Sequence, residues 1–354
     1  MYQKKHHRLF LGLLCALLLA GTCWYVIPQV MPALSWHYAA FTGRRQRGPA
    51  LQPGDTIGVI APASHALNDE LPAEVALLEA MGYHVKLGAS ATAEGTYLAG
   101  TDAVRAKDMN DFFADDSVKA ILCLRGGYGS ARLLGLLDYD TIAKHPKLFI
   151  GYSDITALHT VLGERCQLVT VHGPMLTSLT HATTAYTLYQ FEEGLVRTSP
   201  PGNVSLPAGD TLTTLVPGTA EGRLAGGNIT IFASLAGTPY ELKGDGAILF
   251  LEDTDESPYK LDRDLLQLYQ NGLLSRVKAI VFGNFPDSDS DRNDDPELAA
   301  IIAHYAKLSG KPAIKGLPAG HTRDNMFLPL GIPARVTANA DGTAQLEILE
   351  SAAR

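Results

Sequence analysis

From Thr56 onward the chain alternates short apolar runs with stretches of helical periodicity, and this alternation limits the possible folds more than any other feature. Residues 56–61, 84–87, 119–124, 147–150 and 168–171 have the length and apolar content of buried strands. Helical patterns near 69–81, 102–113, after 128 and at 155–162 fall between them. Parallel neighbours need a crossover, and helices in that role cover both faces of the sheet. The expected fold class is therefore α/β, with a Rossmann-like, mostly parallel sheet closing near residue 175. Gly82 and Gly88 sit where helix and strand ends need a permissive backbone.

The second half carries strand signals at 247–251 and 279–282 and helical patterns near 259–269 and 296–307. Short β segments follow toward Val336 and Leu346. Residues 196–220 are rich in Pro, Gly, Ser and Thr, including Ser199, Pro200, Pro201 and Gly202, which marks a linker or an irregular crossing. The expected division is 1–50 as membrane anchor and juxtamembrane segment, 51–175 as the first domain, 176–220 as linker and 221–354 as the second domain. With 354 residues, 46% of them hydrophobic, the chain can bury a substantial core.

Lys4, Lys5 and Arg8 precede residues 9–27, an uncharged stretch long enough to cross a bilayer as a helix. Trp24, Tyr25, Trp36 and Tyr38 follow as interfacial residues. An uncleaved inner-membrane anchor is expected. The leading basic residues favour a periplasmic catalytic part, while Arg44, Arg45 and Arg47 behind the span pull the other way. The net charge of -8 provides no broad basic field, so nucleic acid is not an expected partner and a peptide or small molecule is. Cys15 and Cys23 lie in the leader, leaving Cys123 and Cys166 too few and too distant for a disulfide framework. Cys123, inside an apolar run, is expected to fill the core.

The chemistry-bearing residues gather at strand ends. Phe149, Ile150, Gly151, Tyr152, Ser153 and Asp154 form a buried strand, a tight turn and a helix start, which places Ser153 at the carboxyl edge of the sheet. A serine there can attack a carbonyl, and the Asp154 amide at the helix start can receive an oxyanion. Helix capping by Ser153 or Asp154 is the competing reading. Ile155 also stands where a GxSxG elbow would have glycine. Arg125, Gly126, Gly127, Tyr128 and Gly129 follow the strand at 119–124 and emerge at the same edge, where Gly126 and Gly127 can bring backbone N–H groups close to a ligand. His321 lies in a loop crowded with permissive residues, from Gly316 to Asn325, and is the candidate general base. Glu252 ends the strand at 247–251 and is the candidate carboxylate to orient it, with Asp253 and Glu256 as rivals. No GxGxxG, GxxxxGK[ST] or HExxH motif occurs, and the Asp287, Asp289, Asp291, Asp294 and Asp295 cluster lacks the glycine and glutamate of an EF-hand. No metal or cofactor is expected.

These residues, with GlyTyrSerAsp at 151–154, ArgGlyGlyTyrGly at 125–129, LeuGluAsp at 251–253 and LeuProLeuGly at 328–331, resemble the LD-carboxypeptidase (muramoyltetrapeptide carboxypeptidase) family of serine peptidases. ProGlyAspThrIleGlyValIleAlaProAla at 53–63, TyrLeuAlaGlyThrAsp at 97–102 and GluGlyArgLeuAlaGlyGlyAsn at 221–228 extend the resemblance in the family's order. It implies a Ser153, Glu252, His321 triad and an oxyanion hole from the Asp154 amide and Gly126 or Gly127. It also implies a smaller, β-rich C-terminal domain and a homodimer. The implied reaction is removal of the terminal D-alanine from a peptidoglycan tetrapeptide in murein recycling. Arg125 and Arg323, with Tyr128, are the candidate substrate contacts, an arginine fork suiting a free carboxylate. Family enzymes are usually cytoplasmic, against the leader's indication. Two alternatives remain: a microcin-immunity-like peptidase acting on a peptide-nucleotide conjugate, and a degenerate membrane-tethered peptidoglycan-binding protein.

Overall fold

The computed structural model describes residues 45–66, 70–179, 183–286 and 295–354. The expected membrane span at 9–27, its flanking aromatic residues and Arg44 lie outside these, as do Asp287, Asp289, Asp291 and Asp294. Among the described residues no helix is long and apolar enough to cross a membrane. Asp295 is an N-cap, its carboxylate accepting from Glu297 N at 2.8 Å and Leu298 N at 3.3 Å.

Strands β1 (Thr56–Ile60), β2 (His84–Leu87), β3 (Val118–Cys123), β4 (Leu148–Gly151) and β5 (Thr170–His172) pair in parallel in the order 2-1-3-4-5. Their crossovers carry α1 (Leu71–Ala80), α2 (Asp102–Ala114), α3 (Tyr139–Lys144) and α4 (Thr156–Cys166). Side chains alternate across a strand, so each buried run feeds two cores. Ile60, Ile121, Cys123 and Phe149 pack against Met109, Phe112 and Phe113 of α2 and Leu158 and Leu162 of α4. Ile57, Val59, Leu122 and Ile150 face the other way and share a core with residues of the second sheet, including Leu224 and Phe250. Both faces are thus covered, as the near-continuous apolar strands require. Cys123 and Cys166 are buried free thiols, and burial pushes both thiol pKa values up.

Beyond β5, helix α5 (Ala185–Val196) leads into β6 (Gly202–Asn203), β7 (Thr213–Val216) and β8 (Gly218–Asn228). Helix α6 (Ile229–Leu235), β9 (Ala247–Glu252), α7 (Pro258–Gln270), α8 (Leu273–Arg276), β10 (Ala279–Gly283), α9 (Pro296–Ser309) and β11 (Ala313–Leu317) follow. The chain closes with β12 (Leu328–Leu330), β13 (Pro333–Ala338) and β14 (Ala344–Ile348). The second sheet has the order 6-14-13-8-9-10-11-7 and is parallel from β8 to β11. Strand β12 instead pairs antiparallel with β5, so the last part of the chain supplies the sixth strand of the first sheet.

Two expectations change here. Residues 176–220 hold a helix, two strands and the start of β8 where a linker was expected. The C-terminal domain was expected to be the smaller, yet among the described residues the sheet it centres on has eight strands to the first sheet's six, β6 and β7 of the 176–220 segment included. Glycine concealed the longest strand: β8 contains Gly222, Gly226 and Gly227, which by propensity argue for a loop. A β-carbon at Gly226 would overlap the Phe250 carbonyl, so close strand contact, not a turn, is what demands glycine there.

The arginines behind the leader also have fold contacts. Arg45 is buried, hydrogen-bonded to Gly163 O and 3.8 Å from Glu164, and Arg47 Nη1 donates to Ser351 Oγ at 2.9 Å. In the folded protein these two charges serve the body of the chain.

Candidate active site

Strand β4 ends at Gly151, and two residues later Ser153 adopts φ 65°, the left-handed region that an L-residue enters at a cost of about 1 to 2 kcal/mol. The neighbouring loop accommodates it only because residue 126 is glycine: a β-carbon there would lie 2.8 Å from Ser153 Cβ and 3.0 Å from its Oγ. Gly127, at φ 106°, is pressed against Ser64, whose Oγ accepts from Tyr128 N at 3.2 Å. The loops after β1 and β3 therefore meet at the point where strand order reverses, the usual ligand position in an open α/β sheet. Neither Ser153 nor Asp154 caps α4. The Asp154 carboxylate accepts from Ser130 N at 2.8 Å; it is an acceptor only, so the group of this residue that could serve an oxyanion is its main-chain N–H.

Ser153 Oγ lies 2.9 Å from His321 Nε2, and His321 Nδ1 lies 2.8 Å from Glu252 Oε2. An ionised carboxylate only accepts, so Nδ1 carries the proton and Nε2 offers its lone pair to the Ser153 hydroxyl. Glu252 is fully buried at the end of β9 and also accepts from His321 N at 3.2 Å. Gly320, at φ 97°, makes this possible, since a β-carbon there would overlap the carboxylate. Asn325 braces the loop: its Oδ1 accepts from Gly320 N at 2.9 Å, and its N donates to Thr187 Oγ1 at 2.8 Å. The rival acids are occupied elsewhere. Asp253 accepts from Asn228 Nδ2 at 2.8 Å and Thr230 N at 2.9 Å, and Glu256 lies 3.5 Å from Lys260.

Serine, imidazole and carboxylate in this order can activate a hydroxyl for acyl transfer. Residues 57–173 match the model of the LD-carboxypeptidase N-terminal domain, and residues 221–336 match that of the LD-carboxypeptidase C-terminal domain. The chain belongs to the LD-carboxypeptidase family. It is 39% identical over 308 residues to a probable murein peptide carboxypeptidase of Bacillus subtilis (strain 168), covering 84% of this chain and 93% of that protein. Among solved structures it is similar to the muramoyltetrapeptide carboxypeptidase from Oxalobacter formigenes, at 33% identity and TM-score 0.71, covering 84% of this chain and 99% of that one. An MccF-like protein from Bacillus anthracis str. Ames is similar at 29% identity and TM-score 0.78, covering 86% and 99%.

In this LD-carboxypeptidase Ser153 and His321 open onto a cleft lined also by Glu70, Glu74, Arg125, Gly126, Gly127, Tyr152, Met175 and Thr177. Of the expected substrate contacts, Arg125 is on this wall, its Nη1 donating to His65 O at 3.4 Å. Tyr128, 54% exposed, pairs with the Tyr97 ring instead, and Arg323 is exposed; neither lines the cleft.

Burial pushes the Glu252 carboxyl pKa up, yet the attraction of His321, its hydrogen bonds and His172 outweigh burial and hold it below the usual range. Burial likewise depresses His321, but the Glu252 charge and hydrogen bond, with Asp253 and Asp255, raise it above the ordinary imidazole value. A base must be neutral to accept a proton, so with His321 as the candidate base activity is expected to fall as pH drops through this raised pKa. The acid limb of kcat/KM against pH is expected above about 6.5; a limb clearly below that value would contradict the geometry.

Sequence reasoning missed Glu74 and two buried histidines. Glu74 stands three residues after Leu71 and four before Leu78, on the packed side of α1. It is only 5% exposed, and burial and then Glu70 push its carboxyl pKa up. An acid on an apolar helix face was the available signal. His172 directly follows the apolar run at 168–171, as Glu252 follows its own strand run, and the same strand-end reasoning applied to it. His159 lies inside α4, with nothing in its spacing to single it out.

Proposed function

We propose that this enzyme removes the terminal D-alanine from peptidoglycan tetrapeptides by a serine acyl-enzyme mechanism. Ser153 Oγ attacks the carbonyl of the preceding residue while His321 Nε2 takes its proton. The Asp154 and Gly127 amides are the proposed donors to the tetrahedral oxyanion. His321 then protonates the departing amine as the C–N bond breaks, and water, deprotonated by the same imidazole, releases the acyl group from Ser153. The observation that carries this reading is the unbroken hydrogen-bonded path from Ser153 Oγ through His321 to Glu252, at 2.9 and 2.8 Å. Incubation with MurNAc-tetrapeptide should release free D-alanine, and no release from active-site-intact protein would overturn the assignment. A peptide-nucleotide conjugate assayed beside it tests the microcin-immunity alternative raised by the MccF-like neighbour.

Arg125 is the proposed partner of the substrate's terminal carboxylate. Arg125→Gln is expected to raise KM by about 10- to 100-fold, the value of a charge-assisted hydrogen bond, with a smaller effect on kcat. Arg323→Ala, off the cleft, should stay within about twofold of the parent in both constants.

The leader supports an inner-membrane tether through residues 9–27, with the catalytic part periplasmic on the strength of Lys4, Lys5 and Arg8. Full-length protein should stay with the membrane through a carbonate wash and be digested by protease added to spheroplasts. Recovery in the soluble fraction, or protection from protease, would refute tether or sidedness respectively. The family resemblance supports a homodimer, for which light scattering of residues 45–354 is the direct measurement.

A further inference from the structure

Behind the catalytic hydrogen bonds sits a polar group that the mechanism leaves unused. His172 ends β5 beside Gly151 of β4 and is wholly buried. Among the described residues neither of its ring nitrogens has a hydrogen-bond partner. Glu252 is in a matching condition, since Oε2 takes both N–H groups of His321 while the buried Oε1 takes none from the described residues.

The two residues are neighbours. The His172 ring meets the Phe250 ring edge-on, with centroids 5.2 Å apart, and Glu252 lies two residues further along β9 on the same strand face. The His172 ring also packs against that of Tyr152, the residue before Ser153, with centroids 5.9 Å apart. An unsatisfied buried polar atom costs about 1 to 3 kcal/mol, and an imidazole N–H and a carboxylate oxygen satisfy each other.

We propose that His172 is a positioning residue of this site: its ring N–H holds Glu252 Oε1, directly after a small ring rotation or across one water. It thereby fixes the carboxylate plane that aims His321 at Ser153. The proposal rests on the triad reading above.

The groups facing His172 are consistent with a neutral donor. Burial, with His321 adding to it and Glu252 opposing it, brings the His172 imidazole down to about 4. His159, 6.3 Å away between ring centroids, is also neutral, pushed down to about 3 by burial and then by His172. Its Nε2–H donates to Gly151 O at 2.8 Å, which leaves only a neutral lone pair to compete with the Glu252 charge for the His172 proton.

The test compares His172→Phe, which keeps the volume without the donor, with His172→Asn, which restores a donor. His172→Phe is expected to lower kcat about 10- to 100-fold with KM within about twofold of the parent. The low-field proton resonance of the His321 Nδ1–H bond to Glu252 should shift or broaden, and His172→Asn should recover most of both. A folded His172→Phe protein with parental kcat and resonance, or His172→Asn as impaired as His172→Phe, would overturn the proposal. Should the Phe variant not fold, the 15N-labelled parent decides: its His172 ring should remain one neutral tautomer down to about pH 5, and protonation near the ordinary imidazole value would refute the role. The spectroscopic arm needs no substrate, so it stands apart from a failure of the D-alanine assay.

Discussion

Replacing Ser153 by alanine is expected to lower kcat/KM by about 10⁴-fold or more while the protein remains folded, because the nucleophilic oxygen is removed and little else changes. Ser153 Oγ is bonded to His321 Nε2, and it does not cap α4. A capping serine would have given the opposite pattern, a stability loss of about 1 kcal/mol with activity retained. The backbone sharpens the distinction. At φ 65° an L-residue is strained, so Ser153→Gly should be as inactive as the alanine variant yet more stable than it. The relief is about 0.5 to 1 kcal/mol after allowing for glycine's extra chain entropy. D-Alanine release and thermal unfolding on the three proteins check both halves. Activity within tenfold of the parent in Ser153→Ala would reject the nucleophile.

The second large effect belongs to Glu252→Gln, expected to reduce kcat about 10³-fold or more. An amide retains the size of the side chain but not the charge that stabilises imidazolium in the transition state. Should it turn its NH₂ toward Nδ1, it would also select the wrong tautomer. The pH profile separates this from simple misfolding. Glu252 is what lifts His321 above the ordinary imidazole value, against burial, which pulls the other way. Without the carboxylate only burial remains of the main influences, so the residual activity should show its acid limb displaced to lower pH. A limb that stays in place would mean that Asp253, not Glu252, sets the base.

The first sheet was legible almost to the residue. Its five parallel strands fall within two residues of the positions expected from apolar runs; β1, β3, β4 and β5 are buried runs with an unmistakable local composition, while β2, largely exposed at the sheet edge, was marked by its place between Gly82 and Gly88. The second sheet was legible only in part. Strands β9 and β10 have the same composition and were found, whereas β6 is two residues long, β7 is only half-buried, the apolar run of β11 is broken by Lys315 and Gly316, and β8 is written in glycine. Helix α5 was hidden by Gly194, where a β-carbon would overlap the Phe327 ring, so its glycine reports packing and not a break.

The site divided in the same way. Ser153, Glu252 and the 126–127 loop each follow an apolar strand run, and a polar residue in that place carries its own local signal. His321 stood out by the permissive residues around it. Which substrate contacts share a wall with them was not local: Arg125 and Tyr128 are three residues apart in one loop, yet only Arg125 faces the cleft. His172 had the strand-end signal, but its lack of partners exists only once Phe250, Tyr152 and Glu252 have closed around it.

By itself, then, the amino-acid order determined the parallel first sheet, the family and the three side chains to watch, since these depend on period, turn chemistry and residue type within a few neighbours. Tertiary structure alone decided that His321, 168 residues from Ser153, lies 2.9 Å from it with its proton on the side of Glu252. It also decided that the strand after that histidine, β12, joins the first sheet and not the second. The physical reason is range: periodicity records which face a residue shows to some core, while the identity of the atom across that core is fixed only when both sheets pack.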